Sequence, residues 1–419
     1  MPSVKYRRLR PITETTSVPM GDYDSNKDLY VLFRAFQRLF DIRLTANSSA
    51  FSPKTKVDVL NKKGRVINHA QYDIPKNIFY TGYLKGMPHS TVYGYVRKGS
   101  FVGTVQDEND TFYTDLADKN YFRVNGSYGT VIYKYSDIIF CNLQSHNTCK
   151  EIDIYMKGPR RTDILTRSRK VSKLIISQLN NPEIATEKRS TTTQENKICS
   201  LELVADHTFY SSRNSDREAI ISEMLYYVHS ANDIFMSTDF NIGFKVGFLV
   251  EKVTIFSNAF DTDNPFFSGD GSAEQILNSF TYHIQNKCLA LGFLHRDLPN
   301  DVLGLAYIAD SDSTYGYIGG ICEPPVNINH NFRSYNTLIV TTKHNNRPSP
   351  KATTALTVTH EFGHSFGSPH DSTSNPKCSP GGVKGQFIMN PYSNDGSKVN
   401  HKLFSSCTRA AIAPVIQTK

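Results

Sequence analysis

Thr-His-Glu-Phe-Gly-His-Ser-Phe-Gly-Ser-Pro-His-Asp, the stretch Thr359–Asp371, decides the fold of this chain. His360 and His364 are four residues apart, so on a helix they project from one face, one turn apart. Two imidazoles at that separation can hold one Zn²⁺ from the same side. Gly367 is suited to end the helix, because glycine adopts the left-handed conformation cheaply. The chain can then double back and bring His370 in as a third ligand.

The residues near these histidines predict a catalytic metal site. Three imidazoles leave a fourth zinc position open, which is typical of catalytic rather than structural sites. Glu361 follows the first histidine and is suited to act as a general base towards water. Met389, in the segment Ile-Met-Asn-Pro, lies at a distance suited to a methionine turn beneath the metal. A solvated polar helix face is the alternative, but the added glycine and third histidine at fixed spacing argue against it.

The extended motif ending in Asp371 resembles the ADAM (adamalysin) branch of the metzincin zinc proteases. Residues 303–306 (Leu-Gly-Leu-Ala) and 319–323 (Gly-Gly-Ile-Cys-Glu) are similar to the kuzbanian-like, alpha-secretase-type members of that family. The resemblance is strong from about Lys188 to the C-terminus. It is weaker over residues 29–149, which correspond to the propeptide of the family.

The resemblance implies an α/β (α+β) fold. We expect a metzincin catalytic domain with a mixed, mostly parallel sheet and an active-site helix, preceded by a mainly β propeptide domain. The expected domains are a flexible N-terminal tail (1–28), the propeptide domain (29–155), a basic linker with a processing site (156–189) and the zinc metalloproteinase catalytic domain (190–419). Segments 79–83, 90–96 and 101–105 alternate aromatic or β-branched residues with polar ones, which predicts strands in the propeptide.

The catalytic half alternates predicted strands and helices. Residues 216–231 carry an apolar stripe at helical spacing, and Ser272 with Gln275 can form a capping box at the start of another helix. Ser349 followed by Pro350 predicts the start of the active-site helix. Predicted strands cover residues 201–210, 244–250, 289–294, 302–309 and 337–342. The resemblance makes the strand at 302–309 the upper edge of the sheet, where an extended peptide can bind by strand addition.

The net charge of +8 is unevenly distributed. Residues 1–189 carry 30 Lys and Arg against 18 Asp and Glu, a balance of +12, whereas residues 190–419 carry 17 against 21, a balance of −4. A basic half can indicate nucleic acid or anionic membrane as a partner. The chain has no compact basic run with interleaved aromatics, so we expect no nucleic-acid partner. Either the basic half lies on the acidic half, or its charge is simply solvated.

Latency is expected from a cysteine in the first half. Cys149 matches the family's switch cysteine in position, and its thiolate would take the open zinc position. The propeptide is then the chain's own inhibitor. The residues that flank Cys149 depart from the family's switch segment, so Cys141 is a second candidate. A local disulfide between the two cysteines is the alternative.

Five further cysteines lie beyond residue 190. In an oxidising compartment they would form disulfides, and in a reducing one they would be thiols. The resemblance implies the pairs Cys199–Cys288 and Cys378–Cys407. It leaves Cys322 over, because its family partner lies further C-terminal.

Processing and localisation follow from the same resemblance. Lys188-Arg189 stands where the family's propeptide is removed, although Thr186 replaces the arginine that furin-like proteases prefer. Sequons begin at Asn47, Asn109 and Asn125. We see no apolar segment of about 20 residues and no signal-peptide pattern, whereas family members carry a signal and a transmembrane helix. We therefore expect a fragment, a truncated gene model or a soluble form, with membrane association only through regions missing here.

The expected function is that of a zinc-dependent metalloendopeptidase of the sheddase type, with one Zn²⁺ per chain. Its partners would be protein substrates, namely membrane-protein ectodomains including Notch-type receptors, met in the secretory pathway, at the cell surface or outside the cell. One alternative is a matrix or astacin-type metzincin, against which Asp371 and the segment around Cys322 argue. The other is a catalytically silent ADAM-like binding protein. Such proteins typically lack the glutamate or one histidine of the motif, and all four residues are present here.

Overall fold

Two large sheets organise the chain in the computed structural model. One has eight antiparallel strands and lies within residues 1–134, and the other has six mostly parallel strands. This arrangement confirms the predicted α/β class and the mainly β character of the propeptide region. The structure describes residues 5–6, 10–11, 29–47, 49–60, 78–97, 100–116, 130–134, 138–139, 155–161, 196–260, 264–266, 271–312, 316–394 and 398–419.

The first sheet has the strand order β2-β10-β9-β8-β7-β6-β4-β3. One face buries an aromatic and aliphatic cluster that includes Phe33, Phe40 and Phe112. The strands of this half are β1 Lys5–Tyr6, β2 Arg10–Pro11, β3 Leu29–Ala35, β4 Arg38–Ala46, β5 Phe51–Leu60, β6 Tyr80–Leu84, β7 Met87–Arg97, β8 Ser100–Gln106, β9 Thr111–Leu116, β10 Thr130–Lys134 and β11 Ile138–Ile139.

The second sheet has the order β15-β18-β14-β12-β13-β5, and β15 is its only antiparallel member among the described strands. The remaining strands are β12 Lys197–Ala205, β13 Val246–Phe256, β14 Leu289–Leu294, β15 Gly304–Ala306, β16 Val326–Ile328, β17 Asn331–Arg333, β18 Thr337–Thr341, β19 Lys343–His344 and β20 Arg347–Pro348. The helices are α1 His207–Ser212, α2 Arg217–Ser237, α3 Ala273–Phe280, α4 Lys351–Ser365 and α5 Ser406–Thr418, with short 3₁₀ turns at Pro299–Asp301 and Val399–Lys402.

The sheet of the catalytic half takes one strand from the expected propeptide domain. β5 pairs in parallel with β13, in a register that sets Lys56 opposite Lys252 and Leu60 opposite Phe256. Val57 and Val59 are buried in the shared core. An unpaired strand edge exposes a row of backbone donors and acceptors, and β5 covers that edge of β13. The two halves therefore share one sheet, which the predicted boundaries did not anticipate.

Several predicted elements begin or end elsewhere in the structure, among them the strand predicted over 302–309, which covers only Gly304–Ala306. The strand predicted over 201–210 stops at Ala205, because the Asp206 side chain accepts from Phe209 N (2.7 Å) and starts helix α1. Ser349 does not cap the active-site helix. Its backbone N–H donates to Thr342 O at 2.9 Å, and the helix begins one residue after Pro350. The capping box of Ser272 and Gln275 is confirmed.

The active-site helix α4 lies across the core of the catalytic half. Its apolar face packs in an aromatic cluster, in which the rings of Phe248 and Phe362 lie 4.5 Å apart and those of Phe235 and Phe366 5.0 Å apart. Ala355, Val358, Phe362 and Phe366 on this face are all buried. This packing fixes the rotation of α4 about its axis, and with it the direction in which His360 and His364 project.

The eight-stranded sheet packs on helices α2 and α4. The hydroxyl groups of Thr104 and Tyr226 share a 2.8 Å hydrogen bond across this contact. Lys351, the first residue of α4, lies 3.3 Å from Glu223 of α2 and 3.7 Å from Asp115 of β9. The charge of Lys351 is thereby neutralised by both halves, so the start of the active-site helix is tied to the propeptide region.

His229 on α2 lies at the contact between the halves, and its imidazole should make the stability of this contact depend on pH. Its ring lies 5.0 Å from the Phe79 ring and 4.8 Å from the Tyr93 ring. Burial lowers the pKa of His229 below its ordinary value of 6.5, although Asp233 opposes the shift. The unfolded chain then binds a proton more readily than the folded chain, so this contribution to stability is complete above about pH 6.5 and falls below it. We expect the thermal midpoint of the whole chain to decline between pH 7.5 and 5.5.

Replacement of His229 by Phe keeps a ring between the two aromatic neighbours and removes the titration. The decline of the thermal midpoint between the two pH values should be smaller in His229→Phe than in the unaltered chain. An equal decline in both proteins would contradict the assignment.

Candidate metal centre

Helix α4 and the turn after it position three histidines. His360 and His364 lie one turn apart on α4, as their spacing predicts. Gly367 N–H donates to His364 O at 2.8 Å and closes the helix. Gly367 has φ +99°, and an added Cβ would also lie 2.5 Å from Val415 Cγ2, so glycine is required here. The chain then reverses and brings His370 back to the first two rings.

The three Nε2 atoms converge on one point. The distances are 3.0 Å between His360 and His364, and 3.2 Å from each of these to His370. A zinc ion bound at about 2.0–2.1 Å from each of three nitrogens places those nitrogens about 3.3 Å apart. The observed triangle is of that size.

Hydrogen bonds at the far side of two rings fix their protonation. His360 Nδ1–H donates to Ile388 O at 2.7 Å, and His364 Nδ1–H donates to Ser368 O at 2.6 Å. A carbonyl oxygen only accepts, so the proton of each neutral ring is on Nδ1 and the Nε2 lone pair points inward. Lone pairs that face each other at 3.0 Å repel unless a cation lies between them. The donor set therefore fits Zn²⁺, and these carbonyls are the outer partners that orient ligating imidazoles.

The Glu361 carboxylate lies on the same helix and is fully buried. It faces the edge strand β15, where a Cβ added at Gly304 would lie 2.5 Å from Glu361 Oε1. Gly304 has no side chain, and only for this reason can the carboxylate take its position. A cleft opens beside His360. Its walls include Leu303, Leu356, Thr357, Ile388, Asn390, Tyr392 and His401.

The segment around Met389 lies directly beneath the histidines. Met389 is fully buried, and a Cβ added at Gly363 would lie 2.4 Å from the Met389 sulfur, so the methionine packs against the bare backbone of α4. The neighbouring carbonyl of Ile388 accepts the bond from His360. These contacts place the predicted methionine turn where it supports the metal site.

Asp371 holds the turn that carries His370. Its N–H donates to Met389 O at 2.7 Å. Its Oδ1 accepts from Ser405 Oγ at 2.5 Å and from Thr408 Oγ1 at 3.2 Å, at the start of α5. Burial raises the pKa of Asp371 above its ordinary value, and the two hydroxyl donors oppose the shift.

Both disulfides implied by the family resemblance are present. Cys199–Cys288 joins β12 to the start of β14, and Cys378–Cys407 joins the loop after the motif to α5. Cys322 is a free, exposed thiol in the described part of the chain.

Several predicted sites lie outside the described residues. Cys141, Cys149, the Lys188-Arg189 pair and the sequon at Asn125 are among them. Of the other two sequons, Asn109 is exposed at the turn between β8 and β9, while the Asn47 amide donates to Thr81 Oγ1 at 3.1 Å.

Sequence reasoning missed one residue of the site. The Tyr155 ring lies 5.0 Å from the His364 ring and 5.7 Å from the His370 ring. Tyr155 stands at the boundary predicted between propeptide and linker, and nothing in its local sequence pattern points to a metal centre. Only the position of Cys149, six residues upstream, gave an indirect signal that this region approaches the histidines.

Comparison with known proteins agrees with the fold and site, which together are those of a metallopeptidase of the metzincin class. The model of metallo-peptidase family M12, Reprolysin_5, matches residues 195–405. The chain belongs to this family and, within it, to the ADAM (adamalysin) branch.

Its relatives are multidomain proteins. Disintegrin and metalloproteinase domain-containing protein 10 of Homo sapiens is 30% identical over 402 residues, which are 92% of this chain and 51% of that protein. The homolog of that protein in Caenorhabditis elegans is 29% identical over 427 residues, 92% of this chain and 45% of the relative. The protein 17 homolog of C. elegans is 28% identical over 250 residues, 52% and 36% of the two chains. The chain thus spans about half the length of the protein 10 relatives. Among the described helices, none is both long and apolar enough to cross a bilayer.

Replacement of Gly304 by Ala should separate turnover from metal binding. The new methyl group would push the Glu361 carboxylate away, while the three histidines keep their positions. A displacement of about 1 Å at a reacting group can cost about 10²-fold in rate. We expect peptide turnover of the processed chain to fall by about that factor, with zinc content by mass spectrometry unchanged. Unaltered turnover in a zinc-loaded variant would show that Glu361 is not constrained by the edge strand.

Proposed function

We propose that this chain is an active zinc-dependent endopeptidase with one Zn²⁺ per chain, a sheddase made as a latent precursor. The observation that carries the proposal is the convergence of three imidazole Nε2 atoms, at 3.0–3.2 Å, beside a buried glutamate and an open cleft. A structural zinc site closes all four positions with protein side chains, whereas this arrangement supplies three.

The residues of the chain divide the chemistry between them. Zn²⁺ held by the histidines would supply Lewis acidity, which polarises a peptide carbonyl and lowers the pKa of water to about 7. Glu361 takes the proton from the attacking water and returns it to the departing amine. Positioned acid–base catalysis of this kind contributes typically about 10²–10⁴ in rate. Burial of Glu361 excludes competing solvent from its carboxylate.

The edge strand β15 is suited to align an extended substrate. On one side it pairs with β18, and on the other side Met156 bridges to Tyr307, so that side can offer its backbone groups for strand addition once the segment around Met156 has left. A peptide there would run past His360, with one side chain in the adjoining cleft. The mixed wall of that cleft, with Leu303, Ile388 and Tyr392, favours an apolar or aromatic side chain at this position.

Latency is proposed to come from the chain's own propeptide region, with Cys149 as the candidate ligand for the open zinc position. Tyr155 lies against two of the histidines. Six residues extend at most about 20 Å, so the chain length allows Cys149 to reach the metal. Cys141 is 14 residues before Tyr155 and remains the second candidate. Removal of the region by cleavage after Arg189 would activate the enzyme.

The substrate class rests on the family resemblance. We propose cell-surface protein ectodomains, Notch-type receptors among them, met in the secretory pathway or outside the cell. Two disulfides in the described residues support an oxidising compartment. The presence of all four motif residues argues against the silent binding protein, because such proteins typically lack the glutamate or one histidine.

Substitutions in the motif test the proposed roles separately. Glu361→Gln should lower cleavage of a quenched fluorescent peptide by at least about 10²-fold and leave zinc bound, because the base is lost and the ligands remain. His364→Ala should lose both zinc and activity. His330→Asn serves as a control, because it removes an exposed histidine away from the site and tolerates the positive φ at that position.

All proteins are first processed identically at the linker, then assayed with and without a chelator. The proposal fails if the unaltered, zinc-loaded chain cleaves no peptide in a broad library. It also fails if Glu361→Gln cleaves at the rate of the unaltered chain.

A further inference from the structure

Residues Tyr155–Arg161, here called the strap, lie in a groove that continues the edge strand β15. Met156 N–H donates to Ala306 O at 2.7 Å, and Ile308 N–H donates to Met156 O at 2.8 Å. Met156 forms a parallel bridge with Tyr307 between them. The strap therefore uses the backbone groups that a bound peptide would use.

The second half of the strap is held from the other side of the groove. Ile318 N–H donates to Pro159 O at 3.0 Å, and Arg161 N–H donates to Gly316 O at 3.2 Å. A Cβ added at Gly158 would lie 1.9 Å from Ile318 O, so the two backbones approach too closely for any side chain at this position. The strap is thus clasped between two backbone segments of the catalytic half.

A buried ion pair anchors the end of the strap. Arg161 Nη1 and Nη2 donate to Glu323 Oε1 and Oε2 at 2.9 and 2.6 Å. The Glu323 side chain is 1% exposed and that of Arg161 is 20% exposed. Lys419 Nζ lies 2.8 Å from the same carboxylate. A bidentate fork of this kind matches the planar guanidinium and is not reproduced by lysine.

The opposite end of the strap packs against the histidines of the metal centre. Tyr155 lies on His364 and His370, at ring distances of 5.0 and 5.7 Å. The backbone hydrogen bonds in the middle of the strap connect the ion pair of Arg161 with Tyr155, so the ion pair helps to hold this ring in position. A substrate that pairs with Ala306 and Ile308 would have to displace the strap first.

We propose that the groove formed by Ala306–Ile308, Gly316–Ile318 and Glu323 is a peptide-binding site that selects an arginine side chain. The strap is its resident ligand, and the Arg161–Glu323 pair holds Tyr155 over the histidines. After the strap leaves, Glu323 is the subsite for an arginine-bearing extended peptide. That the strap blocks substrate cleavage rests on the proposed function, whereas the binding of the strap in the groove does not.

Hydrogen–deuterium exchange on the whole, unprocessed, metal-free chain tests the occupancy directly. The amides of Ile308 and Ile318 donate to strap carbonyls, so their exchange reports whether the strap is seated. Arg161→Gln and Glu323→Gln remove the fork, and loss of one partner of a buried charge pair is costly. We expect exchange of both amides to accelerate by at least about tenfold in either variant.

The neighbouring Arg160 supplies a matched control. Its side chain is exposed, and its guanidinium is 3.4 Å from the Tyr317 hydroxyl. Arg160→Gln removes the same charge and should leave both amides slow, while Arg161→Lys should give an intermediate rate. Exchange in β14 must stay slow in every variant, which shows that the sheet remains folded.

Unchanged exchange in Arg161→Gln and Glu323→Gln overturns the proposal, and so does equal acceleration in Arg160→Gln. A second assay measures cleavage of a quenched peptide by zinc-loaded, uncut chains, where Arg161→Gln should exceed the unaltered chain. A third adds a peptide with the strap sequence Tyr-Met-Lys-Gly-Pro-Arg-Arg to uncut Arg161→Gln. It should slow exchange of Ile308 and Ile318, and the same peptide with its last arginine replaced by glutamine should not.

The outcomes of the two proposals are separable. Accelerated exchange without peptide cleavage by any processed or unprocessed protein supports the strap and contradicts the endopeptidase. Cleavage by the processed, unaltered chain together with unchanged exchange supports the endopeptidase and contradicts the strap.

Discussion

The repulsion between the inward-facing nitrogen lone pairs of His360 and His364 is the constraint on which this structure depends. The carbonyls of Ile388 and Ser368 hold the protons of His360 and His364 on the outer nitrogen. The inner nitrogens, 3.0 Å apart, then have no proton to share and need a cation. The Ile388 carbonyl is positioned by the methionine turn, and the Ser368 carbonyl is positioned by the turn after α4. The geometry of the metal ligands therefore depends directly on the fold of these two segments.

The motif and its immediate supports could be predicted from the sequence because they are local. The spacing of His360 and His364 specifies one helix face, and Gly367 specifies the reversal that returns His370. The start of α4 is harder to predict from the sequence. Ser349 has the residue type of a cap, but its backbone N–H is hydrogen-bonded within the preceding hairpin. Asp206 also has the residue type of an N-cap, but the apolar run before it favours a longer strand in the sequence pattern.

The joining of the two halves could not be predicted, because it depends on pairings between distant residues. Thr55 Oγ1 donates to Val250 O, 195 positions away, and no local pattern chooses that partner for β5. The same holds for Arg161 and Glu323, 162 positions apart. As part of a basic linker, Arg161 has the sequence signature of solvated charge, and only the fold buries its partner. Contacts of this kind make the propeptide region part of the catalytic core as well as its cover.

X-ray absorption at the zinc edge of the purified, unprocessed chain tests the central claim most directly. The account predicts zinc with three imidazole nitrogens at about 2.0–2.1 Å. A fourth ligand is expected to be oxygen, or sulfur at about 2.3 Å if Cys149 occupies the open position. A spectrum with fewer than three imidazoles, or a chain that takes up no zinc when the metal is supplied, would contradict the account.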